Sequence, residues 1–126
     1  MNIDSINTLV LAYLGDSVYE LLIRDYFLKQ GLNKVNNLQN KVTNYVSAKA
    51  QSKYVQYLID NNYLAEDEIS YYKHARNAHP HSKSKNSSIV EYRKATGLEA
   101  LLGLLLYEDE NRLIEVLSEI GKILGK

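Results

Sequence analysis

The sequence predicts an all-α fold, and three observations support this prediction. Apolar residues recur three and four positions apart along most of the 126 residues, which is the spacing that places side chains on one face of a helix. No segment shows the alternating pattern of a β-strand or a hairpin turn. The one long stretch of helix-breaking residues is 77–88, which contains the sole proline. The length is that of one domain, so we expect residues 1–126 to form a single unit.

The first predicted helix is long and amphipathic. It runs from about Ser5 to Gln30, with Asp4 or Ser5 as its N-cap and Gly31 as its stop. The apolar residues at helical spacing are Ile6, Leu9, Val10, Tyr13, Leu14, Val18, Leu21 and Leu22.

Five more helices follow, and side chains that cap helices mark three of their starts. The first three are predicted at roughly 37–45, 47–61 and 66–77. Ser47 can cap the second of these. Ser88 and Glu91 have the spacing of a capping box, which opens the helix that carries Glu99. Asp109 can cap a last helix, whose apolar residues are Leu113, Val116, Leu117, Ile120 and Leu124.

Composition excludes several classes of protein. The absence of cysteine excludes disulfides, thiolate metal sites and cysteine nucleophiles, so any metal must be held by oxygen or imidazole. No signal peptide and no apolar run long enough to cross a membrane is present, so we expect a cytoplasmic protein without a membrane partner. Fifteen acidic and fifteen basic residues give zero net charge, which argues against bulk attraction to nucleic acid.

The charge is unevenly distributed along the chain. From Lys73 to Lys94 six basic residues face the single acid Glu91, whereas acids outnumber bases from Glu108 to the end. One basic surface is what an anion-binding protein needs, since phosphate contacts depend on local charge. A solvated loop with incidental lysines is the alternative, and charge alone does not separate the two.

Two carboxylates stand inside apolar helical runs. An ionised carboxylate is costly to bury unless it is paired or bound to a metal, so Asp16 and Glu99 are candidate site residues. Gly15 precedes Asp16, and Gly97 and Gly103 bracket Glu99, as expected where two helices cross closely. If the helices cross there, the two acids meet.

Such a pair of acids would suit Mg²⁺, which prefers hard oxygen ligands and retains several waters. A metal ion there could activate a water and neutralise charge on a phosphate under attack. The alternative is structural: Asp16 caps a helix break, and Glu99 pairs with Arg93 or Lys94. From these residues alone the structural alternative is favoured.

Four motifs resemble the ribonuclease III catalytic domain, and the whole chain resembles mini-ribonuclease III, the branch that consists of that domain alone. They are Leu-Gly-Asp at 14–16, Tyr-Val-Ser-Ala-Lys-Ala-Gln at 45–51, Ala-Arg-Asn-Ala at 75–78 and Tyr-Arg-Lys-Ala-Thr-Gly-Leu-Glu-Ala-Leu-Leu-Gly at 92–103. The resemblance implies a homodimeric helical endonuclease domain that cleaves double-stranded RNA. It implies that Asp16 and Glu99 are catalytic and bind Mg²⁺, with Mn²⁺ as a substitute, and that Tyr13 contacts the partner subunit. Tyr13 could otherwise be an ordinary core aromatic.

The chain also departs from larger ribonuclease III enzymes. Two further acids of that family correspond to Ala12 and Thr96 here, losses in which the chain resembles mini-ribonuclease III. They leave the number of metal ions open. They also motivate an alternative function, a catalytically silent RNA-binding dimer that assists ribosome assembly. A plain helical protein-interaction module is a third possibility.

Family resemblance also implies the substrate and the surface that binds it. The expected substrate is the stem of the large-subunit (23S) ribosomal RNA precursor, with a ribosomal protein or pre-ribosomal particle as a further partner. A-form RNA is recognised mainly through its phosphates and shape, which suits basic residues on helices and a loop. The expected RNA-binding residues are Lys49, Lys73, Arg76, Asn77, Lys83 and Lys85.

Histidines and tyrosines of the chain have a structural interpretation. His74, His79 and His81 could bind zinc, but no cysteine or evident carboxylate accompanies them, and histidines in a polar loop are usually solvated. The eleven tyrosines could stack on bases. Their helical spacing instead favours core or interface positions, as for Tyr19, Tyr26, Tyr54 and Tyr57.

Overall fold

The structure, a computed structural model, describes residues 2–3, 6–78 and 88–124, and it confirms the all-α prediction for them. The described residues form six helices and contain no β-strand. The helices are α1 (Thr8–Lys29), α2 (Val35–Thr43), α3 (Ala48–Asp60), α4 (Glu66–Asn77), α5 (Ile89–Glu108) and α6 (Glu110–Ile123).

Local capping chemistry sets the starts of three helices as predicted. Ser47 Oγ accepts a hydrogen bond from the backbone N–H of Ala50 at 3.1 Å and caps α3. At the start of α5, Ser88 Oγ accepts from the N–H of Glu91 at 3.0 Å, and Glu91 Oε1 accepts from the N–H of Ser88 at 3.2 Å. Asp109 Oδ1 caps α6 by accepting from the backbone of Arg112 at 3.0 Å.

The start of α1 differs from the prediction. Asn7 is the N-cap, and its Oδ1 accepts from the N–H of Leu9 at 2.7 Å, so the helix begins three residues later than expected. Asp4 and Ser5 lie outside the described residues. The predicted stop is confirmed, because Gly31 has a φ of 98°, a left-handed conformation that glycine adopts at little cost.

The buried face of α1 also differs from the predicted apolar stripe. Val10, Tyr13 and Leu21 are exposed by 57%, 83% and 68%. Because α1 is apolar on most of its circumference, more than one face fits helical spacing, and contact with α5 decides which face is buried. The buried residues are Leu11, Ala12, Gly15, Tyr19, Ile23 and Phe27.

Helix α5 is the centre of the fold and packs against α1, α3 and α4. At the α1–α5 crossing, a Cβ added to Gly15 would overlap the carbonyl of Glu99, and one added to Gly103 would overlap the carbonyl of Leu11. These two glycines therefore let the helix backbones touch. Gly97 does not share this role: a Cβ there would lie 2.6 Å from the Tyr72 ring of α4.

The expected core tyrosines divide into two groups. Tyr19 and Tyr54 are buried, and Tyr26 and Tyr57 are half-buried against the same core. The hydroxyl of Tyr19 donates to the carbonyl of Tyr45 at 2.7 Å, so a fully buried polar atom is satisfied.

Among the helices described, none is both long and apolar enough to span a membrane.

Candidate active site

The α1–α5 crossing brings Asp16 and Glu99 together. Gly15 lies against the backbone of Glu99, so the residue after it is placed beside the Glu99 side chain. Both acids line a cavity of about 220 Å³, and their carboxyl groups are within hydrogen-bond reach of each other. The meeting of the two acids that the glycine pattern predicted is therefore present.

Burial and like charge disfavour ionisation of Glu99. Burial, followed by the adjacent Asp16 carboxyl, raises the pKa of Glu99 to about 8, and a hydrogen bond from Gln51 opposes part of this rise. At neutral pH the isolated chain therefore keeps a proton on the pair. A cation between the carboxyls would replace that proton and remove the repulsion.

The structure contradicts two parts of the structural alternative, the helix break at Asp16 and the pairing of Glu99 with Lys94. Helix α1 is continuous from Thr8 to Lys29, so Asp16 caps no break. Lys94 Nζ donates to Gln56 Oε1 at 2.8 Å, and its partner there is an amide instead of the Glu99 carboxylate.

Gln51 is a site residue that sequence reasoning missed. Its side chain is buried, and Nε2 donates to Glu99 Oε2 at 3.2 Å and to the carbonyl of Val46 at 3.1 Å. The available signal was its position on α3, where helical spacing places Gln51 on the same inward face as Tyr54, Val55 and Leu58. A polar residue on a buried helix face requires a partner, and here that partner is the second acid.

The residues present fit a hard divalent cation. Two carboxylates meet in one cavity, and Gln51 Oε1 is a buried acceptor without a hydrogen bond to any described residue. Within residues 2–3, 6–78 and 88–124, no group of three acids, histidines or cysteines could surround a metal ion. Asp16 and Glu99 would therefore hold the ion with water or phosphate oxygens completing its shell, which is how Mg²⁺ commonly binds.

Ala12 and Thr96 line the same cavity as the carboxyl pair. Both are buried, and Thr96 Oγ1 donates to the carbonyl of Tyr92 at 3.1 Å. The positions where the sequence lacks acids thus border the site, and short side chains there contribute no charge to it.

Tyr13 lies at the rim of this cavity and is 83% exposed. The core-aromatic alternative for Tyr13 is therefore wrong. Val10 and Leu21 are also exposed, so α1 presents apolar side chains outside the core.

A basic groove of about 850 Å³ lies between α3 and the start of α5. Lys49 lines it as one of the predicted residues, and Lys53 and Lys94 line it too, against the acids Asp60 and Glu91. Sequence reasoning did not single out Lys53, although its i,i+4 spacing from Lys49 places both on one helix face. Helix α3 thus carries the groove residues Lys49 and Lys53 as well as Gln51, which contacts Glu99.

The remaining predicted basic residues lie on or beyond α4. Lys73 is exposed, whereas the Arg76 guanidinium lies 5.7 Å from the Tyr72 ring and Nε donates to Asn77 Oδ1 at 3.3 Å. Arg76 and Asn77 thus contact each other at the end of α4. Lys83 and Lys85, like His79 and His81, lie outside the described residues. His74 is exposed, its ring 6.5 Å from that of Tyr71.

Comparison with known proteins gives a consistent result. Residues 9–110 match the Ribonuclease III domain family. A protein of Enterococcus faecalis named Mini-ribonuclease 3 is 43% identical over 122 residues, which cover 96% of this chain and 92% of that protein. A Staphylococcus aureus protein of the same name is 36% identical, with 99% and 94% covered.

A solved structure agrees with the sequence matches. The crystal structure of a protein from Fusobacterium nucleatum resembles this chain with a TM-score of 0.80 and 31% sequence identity. The similarity covers 94% of this chain and 93% of that one, so it extends over nearly the whole fold.

Proposed function

Because the chain belongs to the ribonuclease III family and is therefore an endoribonuclease, we propose that it is Mg²⁺-dependent and matures the ends of the large-subunit (23S) ribosomal RNA precursor. Enzymes of this family act on double-stranded RNA and depend on divalent metal ions. The observation that carries the proposal is the contact of the exposed Asp16 with the partly buried Glu99 at the α1–α5 crossing. Two carboxyl groups side by side repel each other when both are ionised, and a cation bound to both relieves that repulsion.

Asp16 and Glu99 would hold the metal ion, and Glu99 would give up its shared proton when the ion binds. Bound there, Mg²⁺, or Mn²⁺ in its place, supplies an activated water and neutralises charge on the phosphate under attack. The backbones of α1 and α5 touch at Gly15, and this contact holds the Asp16 and Glu99 side chains close to each other. The expected products carry 5′-phosphate and 3′-hydroxyl ends.

A homodimer is consistent with membership of this family and supplies two sites for one duplex. We place Tyr13 at the contact between subunits, because it is exposed beside the carboxyl pair and the exposed apolar residue Val10 lies one helical turn before it on α1. Each subunit would cut one strand, which leaves a short 3′ overhang.

RNA binding is assigned to the basic residues around the site. Lys49, with Lys53 and Lys94, would contact backbone phosphates along the groove beside α3. Lys73, Arg76 and Asn77 would contact the duplex from the end of α4. Lys83 and Lys85, outside the described residues, keep their predicted role.

We assign residues 1–126 to one catalytic domain of a cytoplasmic enzyme. A ribosomal protein or pre-ribosomal particle as a further partner stays a prediction. The silent RNA-binding dimer is the alternative function, and the residues that favour it are Ala12 and Thr96, which add no charge to the cavity.

Incubation of the purified protein with a duplex RNA stem from the precursor tests the proposal. We expect cleavage of both strands with Mg²⁺ or Mn²⁺, none with chelator, and 5′-phosphate ends by end-group analysis. An unrelated duplex of equal length is the control for substrate preference. Binding of the stem without cleavage would favour the silent dimer, and absence of binding would contradict both functions.

A further inference from the structure

Gln51 is a buried amide whose position is set by the start of α3. It is 2% exposed and lies in the first turn of the helix, four residues after the cap Ser47. Burial of a primary amide is costly unless its hydrogen bonds are made inside the protein. The partners of this amide therefore reveal its role.

Both hydrogens of Gln51 Nε2 are donated to oxygen atoms inside the protein. One is the backbone carbonyl of Val46 at 3.1 Å, and the other is Oε2 of Glu99 at 3.2 Å. Rotation of the amide by half a turn would place Oε1 against these acceptors, so the observed orientation is fixed by its surroundings. Oε1 has no hydrogen-bond partner among the described residues, which shows that the orientation serves the two donated bonds.

The side-chain amide of Gln51 is held by the backbone carbonyl of Val46. Val46 lies in the connection between α2 and α3, and the preceding carbonyl, that of Tyr45, accepts from the hydroxyl of Tyr19 on α1 at 2.7 Å. The connection is thus tied to α1 on one side and to Gln51 on the other. Because the Val46 carbonyl holds the Gln51 amide in place, the amide restricts the Glu99 carboxyl group more than a mobile side chain would.

We propose that Gln51 is a positioning residue for Glu99: its amide fixes Oε2, so that the carboxylate stays turned toward Asp16 and both acids can hold one divalent cation. This inference rests on the proposed function, because it concerns the same metal site. Gln51 itself need not touch the substrate or the reacting atoms.

Gln51→Met tests the proposal, because methionine keeps the length and burial of the side chain and removes both donors. We expect the affinity of the RNA-free protein for Mn²⁺, measured by isothermal titration calorimetry, to fall by about 10- to 100-fold, the range for lost support of a metal ligand. The Mg²⁺ concentration for half-maximal cleavage should rise by a similar factor. Duplex affinity measured without divalent cation should not change.

Ser52→Ala is the matched control. Ser52 is the next residue on α3, is also buried, and borders the basic groove instead of the carboxyl cavity. This variant should bind Mn²⁺ with the affinity of the parent. If Gln51→Met does not fold, Gln51→Asn replaces it, because the shorter amide keeps the polarity but cannot reach Val46 and Glu99 together.

Each outcome separates the inference from the function on which it rests. Parental Mn²⁺ affinity in folded Gln51→Met or Gln51→Asn, with only the melting temperature lowered, would overturn the positioning role and leave the proposed function intact. A parent protein that neither binds Mn²⁺ nor cleaves duplex RNA would overturn the function itself. Weakened Mn²⁺ binding in both Gln51 variants, but not in Ser52→Ala, would support the inference.

Discussion

Two glutamates, Glu68 and Glu99, are at least partly buried in this small domain, and their neighbours carry opposite charges. Glu68 on α4 accepts two hydrogen bonds from Arg112, Nε to Oε2 at 2.8 Å and Nη2 to Oε1 at 2.9 Å, and a third from the backbone of Ala65. Its hydrogen bonds with Arg112 hold its pKa below the ordinary value. Glu99 on α5 instead faces another acid, Asp16, and burial together with that acid raises its pKa to about 8.

The difference separates a structural acid from a functional one. A structural acid is neutralised within the fold, and Arg112 also donates to the carbonyl of Tyr63, which fastens α6 to the α3–α4 connection. The pair of Asp16 and Glu99 instead places two acids side by side, and a proton or a cation relieves the repulsion between them. Burial alone does not mark a site, whereas a buried acid with an acid for its neighbour does.

Removal of the negative charge should abolish cleavage at Asp16 or Glu99 and leave it nearly unchanged at Glu68. We expect Asp16→Asn and Glu99→Gln each to reduce cleavage of duplex RNA by at least about a thousandfold at saturating Mg²⁺, because the amide keeps the shape and loses the charge. Glu68→Gln should cleave at nearly the parental rate at a temperature where it remains folded. Single-turnover cleavage of all three, with helicity checked by circular dichroism, gives the comparison. Near-parental cleavage by Glu99→Gln would remove it from the site.

The contact between Gly15 and the backbone of Glu99, which brings the two carboxyl groups together, leaves no room for a side chain at position 15. Gly15→Ala would drive a methyl group into the Glu99 carbonyl, so we expect a loss of roughly 3 kcal/mol or more in the free energy of unfolding. Gly121→Ala in α6 is the matched control, because a Cβ there meets nothing within 4 Å. It should gain up to about 1 kcal/mol through helix propensity. Equal urea midpoints for the two variants would mean that the crossing is looser than described.

Stability should depend on Glu68 more than on Glu99. Glu68→Gln breaks an ion pair whose side chains are 9% and 21% exposed, and it leaves the Arg112 charge partly buried. We expect a loss of about 2 to 3 kcal/mol in the free energy of unfolding, measured by urea denaturation. Exposed pairs such as Arg24–Glu20 should contribute less than about 1 kcal/mol, so Glu20→Gln is the control. A Glu68→Gln loss no larger than that of Glu20→Gln would contradict the structural role.

The free energy of unfolding should depend on pH through the ionisation of Glu99. Its folded pKa of about 8 lies above the ordinary value of 4.5, so between these values the unfolded state binds fewer protons. Its contribution to stability is therefore present below pH 4.5 and is lost as the pH rises towards 8. Without metal, Glu99→Gln should become more stable than the parent across this window, by on the order of 2 kcal/mol at its upper end. A constant difference between the two would show that Glu99 ionises as freely as in water.

The parts of this structure that follow from local chemistry are the parts that sequence reasoning predicted. The caps Ser47, Ser88 and Asp109 act within their own first turns, so a few neighbouring residues determine them. The Leu-Gly-Asp motif likewise combines a close helix approach with an acid on consecutive residues.

Other features depend on tertiary contacts and could not be predicted in this way. The buried face of α1 is chosen by α5, because α1 is apolar nearly all round. The role of Gln51 depends on the meeting of α3 and α5, which are far apart in the chain. Asn7 replaced Asp4 or Ser5 as the cap of α1, and several polar residues in a row give no local reason to prefer one of them.

Asp16 and Glu99 are expected to exchange a shared proton for a divalent cation. Isothermal titration of Mn²⁺ into the RNA-free protein at pH 7, in two buffers of different ionisation enthalpy, measures this exchange directly. We predict that binding releases about one proton per ion, because Glu99 is mostly protonated at this pH. Glu99→Gln should bind Mn²⁺ weakly and release none. Tight binding without proton release, or parental binding by Glu99→Gln, would contradict the assignment of this pair as the metal site.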